Sequence, residues 1–119
     1  MKIEIKKFLV ICLLSIFTLL IPSLFGDDLT LSVLLLFIVS LAMLSVDWNI
    51  KNIIYYIAIF VSGPLAESIG IHFGAWTYSH PVFIGIPLWL PFVWGNAGLY
   101  VLRLKSLIDV SFRSSRMSK

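Results

Sequence analysis

The sequence predicts an all-helical integral membrane protein with four transmembrane helices, the last broken by proline. Three observations carry this expectation. Of the 119 residues 60% are apolar and 13% charged, against about 45–50% and about 25% in soluble domains. With a mean hydropathy of +1.02, a globule this small has too much surface to hide its apolar side chains from water. The apolar residues also gather into four stretches that approach the ~20 residues needed to cross a ~30 Å hydrocarbon layer. Finally, all nine Lys and Arg fall on one side of a four-span arrangement. This composition excludes a soluble enzyme, a disordered tail and a nucleic-acid module, so no nucleic-acid partner is expected.

The four spans form a single transmembrane domain. The first, residues 8–25, is uncharged and follows Lys2, Lys6 and Lys7. It reads as an uncleaved helix, because Leu24-Phe25-Gly26 makes a poor signal-peptidase site. The single Cys12 rules out an internal disulfide and a Cys-based zinc site, and serves as a small apolar side chain. Gly26-Asp27-Asp28 makes a tight turn, with Asp28 or Thr30 placed to cap the second span, residues 29–46. Asp47-Trp48-Asn49 closes the opposite side, with Trp48 at headgroup depth. Such short links predict antiparallel neighbours in contact. The third span, residues 53–74, contains Glu67 and His72. Its Pro64 cannot donate to the Phe60 carbonyl, so a bend is expected just before Glu67. The fourth span, residues 82–102, is interrupted by Pro87 and Pro91 and is expected to be partly re-entrant, which is tolerated only where protein or water covers the freed backbone. A basic tail, residues 103–119, is expected against anionic headgroups.

Charge orients the set. Lys2, Lys6 and Lys7 precede the first span, Lys51 lies between the second and third, and Arg103, Lys105, Arg113, Arg116 and Lys119 follow the fourth. The other two connections hold Asp27, Asp28 and His80. By the positive-inside rule both termini are cytoplasmic and the protein sits in the cell (plasma or inner) membrane.

Residues 63–96 concentrate the unusual side chains. Glu67 is the foremost, since a carboxylate within a span costs a few kcal/mol and therefore faces a partner or a wet cavity. Rising ~1.5 Å per residue from Ile53 places it roughly 21 Å up, in the outer third of the membrane. Two readings stand: a carboxylate that locks helix packing through a Trp or a freed amide, and one that serves a substrate or proton. Gly63, Glu67, Gly70 and Gly74 share one helix face, which suits either close packing of a second backbone or a groove for a flat or elongated ligand. His72 lies about 140° around the helix from Glu67 and reads as an interfacial hydrogen-bonding residue. His80 reads as solvated, and no ligand spacing supports a metal. Trp76, Tyr78, Trp89 and Trp94 crowd the third connection, where aromatic belts form. Counting back from Arg103 sets Trp89 level with Glu67, so its indole N–H is the expected partner. Asn96, roughly 10 Å above the inner face, is expected to bond between helices instead.

The pattern Glu67-x-x-Gly70-x-x-x-Gly74-x-Trp76-x-Tyr78, followed by Gly85-Ile86-Pro87-Leu88 and Trp94, resembles elements of the membrane carotenoid hydratase and heterodimeric lycopene cyclase families. It is also similar to small bacterial and archaeal integral membrane families without an assigned function. The likeness covers about a quarter of the chain. Lycopene cyclases of that type carry paired acids after the Gly-x-Pro element, where Leu88-Trp89 stands here, and the hydratase-like enzymes have more than four spans. The resemblance implies an isoprenoid ligand, with Glu67 as proton donor and aromatic rings sheltering a cation.

Three functions are expected to compete: a non-catalytic lipid- or isoprenoid-binding or accessory protein, an isoprenoid- or carotenoid-modifying enzyme with Glu67 as its catalytic general acid, and an oligomeric proton- or cation-coupled carrier. The first leads, because one carboxylate makes poor catalytic equipment. The site would comprise Glu67 with Gly70, Gly74, Trp76, Tyr78, Trp89 and Trp94, with no cofactor or metal. Membrane lipids, an apolar ligand and a homo-oligomer or larger complex are the expected partners.

Overall fold

The computed structural model describes residues 2–79 and 81–117, without the side chains of residues 114 and 117; His80 and Lys119 lie outside the described residues. The chain is all-helical: α1 (Lys2–Phe25), α2 (Leu29–Ser45), α3 (Ile50–His72) and α4 (Leu90–Met117). Two of these, α1 and α3, are long and apolar enough to cross a membrane. The apolar helix α2 has 17 residues, or roughly 26 Å of rise.

Caps mark the first three boundaries. Asp28 has extended backbone and accepts from the Leu31 amide at 3.1 Å, starting α2 as expected. Asn49 does the same for α3 through the Asn52 amide at 2.9 Å. Each satisfies one of the donors that a helix N-terminus leaves open. At the end of α3, the Ala75 amide donates to Gly70 and the Gly74 amide to Ile71, with Gly74 at φ +82°. This is a Schellman closure, which needs a left-handed residue that glycine supplies without steric cost. Gly74 is therefore a helix terminator and does not belong to the Gly63–Gly70 face.

The fourth span departs from expectation. Residues 82–89 are not helical; α4 begins at Leu90 and is not broken by proline. Pro87 precedes it, and Pro91 is its second residue, where an amide would have no intrahelical partner in any case. Instead Phe83 and Ile86 form an isolated antiparallel bridge. The turn between them has Ile84 at φ 48° and Gly85 at φ 83°, the two positive angles of a primed hairpin turn. Ser68 on α3 donates to the Ile84 carbonyl at 2.9 Å and holds this turn down. The basic tail is not a separate segment but the continuation of α4 through Met117. Nor does Pro64 interrupt α3, which is helical on both sides of it.

Helix α4 is the hub and packs against the other three, while α3 makes its extensive backbone contact with α4 alone. The short α2–α3 link brings the two helices into contact through side chains, with Tyr56 bonded to Ser40 at 2.8 Å and packed with Met43 and Leu44. Small residues explain the preference for α4. A Cβ at Gly95 would run into the Tyr56 ring, and one at Gly98 would press on Ile59 at 3.0 Å. A Cβ at Gly63 would overlap the Trp94 indole. Each glycine is a hole for a knob on the facing helix. The core joins Ile11, Met43, Leu44, Tyr56 and Leu99.

A hydrogen-bonded chain crosses all four helices at mid-height. Tyr56 donates to Ser40 at 2.8 Å, and Ser40 to the Asn96 amide oxygen at 2.8 Å. Asn96 donates onward to Thr18 at 3.1 Å, and Thr18 to the Leu14 carbonyl at 3.0 Å. Asn96 is fully buried, and its interhelical role agrees with the sequence reading. At one end of the bundle Asp47 pairs with Arg103 at 2.7 Å and with Lys7 at 3.7 Å. The start of α1, the α2–α3 turn and the middle of α4 thus meet at the same end.

Candidate functional site

Glu67 lies 17 residues along α3 from Ile50, at the end of the bundle away from the Asp47 cluster. Its carboxylate is half-buried and doubly held. The Tyr78 hydroxyl donates to Oε1 at 2.5 Å, and the Trp94 indole N–H donates to Oε2. Hydrogen bonds to a charged acceptor are about twice as strong as neutral ones, so this clasp ties α3, α4 and the connecting loop at one point.

The indole partner is Trp94, not the expected Trp89. Because α4 starts at Leu90, Trp89 belongs to the loop, and counting helical rise through it misplaces its height. Trp94 lies flat on Gly63, one turn below Glu67, and the missing side chain there lets the indole reach α3. Trp89 instead packs edge-on against Tyr78, ring centroids 6.0 Å apart at 89°. Burial first, and then the adjacent Glu67, push the Tyr78 phenol well above its ordinary pKa. It stays protonated as a donor.

Glu67, Tyr78, Trp89 and Trp94 line a cavity of about 380 Å³ between α1 and α4. The α1 wall is Thr18, Leu19, Pro22 and Ser23, and the α4 wall includes Leu90, Val93 and Ala97. A second cavity of about 220 Å³ shares Thr18, Leu19, Val93 and Ala97 and continues down to Ser15, Asn96 and Tyr100. A third, about 140 Å³, shares Pro22, Tyr78 and Trp89 and opens toward Gly26, Asp27 and Ser79. The first two form a crevice along α4, which the third adjoins at its loop end.

Of the seven residues expected to form the site, Glu67, Tyr78, Trp89 and Trp94 line this crevice and Gly70, Gly74 and Trp76 do not. Gly70 is covered by the protein's own Trp76 ring, Trp76 is part-exposed above it, and Gly74 ends the helix. His72 is exposed, its ring edge-on to Phe73 at 5.2 Å. The Gly63–Gly70 face therefore receives two indoles rather than a second backbone. Sequence reasoning missed the α1 wall. Its signal was present, since Ser15, Thr18 and Pro22 recur at spacings of three and four and share a helix face. The Ser15 hydroxyl is buried without a hydrogen-bond partner in the fold. Among the described residues, no three His, Cys, Asp or Glu side chains gather as a metal would require.

The geometry defines a class: an all-helical four-helix protein with a clasped carboxylate in the wall of a largely apolar crevice. Comparison with family models, with curated proteins and with solved structures finds no match.

Proposed function

We propose that this is a four-span membrane protein, with both ends cytoplasmic in the cell membrane, that binds a lipid- or isoprenoid-like ligand without catalysis of its own. The observation that carries this reading is the position of the Glu67 carboxylate in the side of an apolar crevice. Pockets of about 300–1,000 Å³ with apolar walls and a few placed polar groups are the usual form of a small-ligand site. The membrane setting is supported by the outward faces of α1 and α3: only 17% of the most apolar stretch of each is buried. Soluble monomers rarely expose contiguous apolar surface beyond a few hundred Å².

Binding is preferred over general-acid catalysis because both Glu67 oxygens accept from fixed donors. That arrangement presents an acceptor to a guest; among the described residues Glu67 is the one carboxylate lining that cavity, and Asp27 lines the adjoining one. The isoprenoid resemblance belongs to this reading as a proposal on ligand class, as do a homo-oligomer or a larger complex as partners. The test is mass spectrometry of the protein purified in a mild detergent. A lipid retained by the native chain, and lost when Ala97→Phe fills the crevice, is the expected result. A chain that carries no specific lipid in either form overturns the proposal.

A further inference from the structure

At the end of the bundle away from the crevice, a small cavity of about 90 Å³ lies where all four helices meet. Arg103, Asp47, Asn52 and Ser106 line it, together with apolar side chains of α1, α2 and α4. The Arg103 side chain is only 11% exposed, which is deep for a cation. It spends one guanidinium N–H on Asp47 at 2.7 Å. A guanidinium has five donors, and the others have no partner among the described residues. Asn52 likewise commits one of its two amide N–H donors, to the Asp47 carbonyl at 2.8 Å. Donors in surplus around a largely buried cation need an acceptor from outside the chain, either water or a guest.

Charge decides between them. Arg103 and Lys7 share a single carboxylate, Asp47, so this cluster keeps a positive charge in excess. The same end carries Lys2, Lys6, Lys51 and Lys105 against Glu4 and Asp109. Glu4 lies one turn from Lys7 on α1, and Lys105 pairs with Asp109 at 2.9 Å. We infer that the Arg103 cavity holds the phosphate of an anionic phospholipid headgroup. A phosphodiester carries a single negative charge, which closes the excess, and its paired oxygens suit the planar fork of a guanidinium. In a zwitterionic lipid that charge is already offset by the head's own ammonium group. The apolar part of the lining suits the glycerol carbons of a headgroup and offers nothing to free phosphate. Basic pockets between spanning helices on the cytoplasmic side are a recurrent form of lipid-head site. The inference rests on the membrane setting proposed above, and on neither the crevice nor the stretch of α4 beyond Ser106.

The full chain in mild detergent would be titrated with phosphatidylglycerol, phosphatidylcholine and inorganic phosphate, the bound molecules being counted by native mass spectrometry. Phosphatidylglycerol is expected to bind about tenfold or more tightly than phosphatidylcholine, and inorganic phosphate should not displace it. Arg103→Gln should erase that preference by removing the cation. Ser106→Phe should erase it by filling the cavity while the Arg103–Asp47 pair stays, and it decides alone if Arg103→Gln does not fold. Arg113→Gln, ten residues or roughly 15 Å further along α4, should leave the preference intact. Equal binding of the two lipids, or a preference that survives in Ser106→Phe, overturns the inference. A preference lost equally in Arg113→Gln means diffuse attraction to a basic surface and overturns it too. Displacement by inorganic phosphate assigns the cavity to a soluble anion instead. A chain that stays in solution without detergent refutes the membrane setting, and the inference goes with it.

Discussion

At the scale of single residues, the Glu67 clasp is an interaction that the sequence suggested and the fold redistributed. A carboxylate within an apolar helix was legible as a group in need of donors. Which donors it found was not, because Trp94 reaches it only where Gly63 leaves space on the facing helix. Removing one donor exposes an unsatisfied acceptor, and hydrogen bonds to charged groups are worth about 1.5–3 kcal/mol. Tyr78→Phe and Trp94→Phe should each lower the unfolding free energy in detergent by an amount in that range. In a Glu67→Leu background either change should cost much less, which a double-mutant cycle would measure. Equal costs in both backgrounds would show that the rings stabilise by packing alone.

At the scale of elements, helix ends were readable where a short polar side chain follows a turn, as at Asp28. They were misread where proline lay inside an apolar run. Pro87 and Pro91 do not break α4; the chain reaches Leu90 through a primed hairpin turn that Ser68 holds down. Gly85 is needed there twice over: its φ is +83°, and a Cβ would meet Ile71 at 2.9 Å. Gly85→Ala should destabilise by about 1–3 kcal/mol, the usual cost of overpacking or a strained backbone. Because this loop carries Tyr78 and Trp89, the same substitution should loosen the crevice mouth. Faster amide exchange in residues 81–89, with α2 unaffected, would display it.

At the scale of the whole molecule, two polar assemblies hold the helices in register. The mid-height chain from Tyr56 to Thr18 passes through buried Asn96 and touches every helix. Interhelical hydrogen bonds in a membrane average about 0.6 kcal/mol each, with a maximum near 1.7. Asn96→Ala breaks two of them and should cost about 1–3 kcal/mol of unfolding free energy in mixed micelles. At the opposite end from the crevice, Arg103, then Lys7, hold the Asp47 carboxyl below the ordinary aspartate range. A depressed carboxyl pKa means that the folded state binds the proton less well than the unfolded chain. The stabilisation is complete above the ordinary aspartate value and is lost as the pH falls through the lowered one. Acid unfolding should therefore have a component in that window that Asp47→Asn removes. With Asp47 nearly half exposed, the effect is small.

Sequence alone determined the helical class, the number of helices and the isolation of Glu67, because composition and apolar run length are properties of the chain itself. It also showed that the basic residues lie before the first apolar stretch, between the second and third, and after the fourth, since charge position along the chain needs no coordinates. Only the tertiary structure decided that α4 is the hub, that Trp94 rather than Trp89 meets Glu67, and that α1 supplies a crevice wall. Those outcomes depend on which glycine faces which ring across two helices. Spacing along one helix says which residues share a face, and packing decides what that face meets.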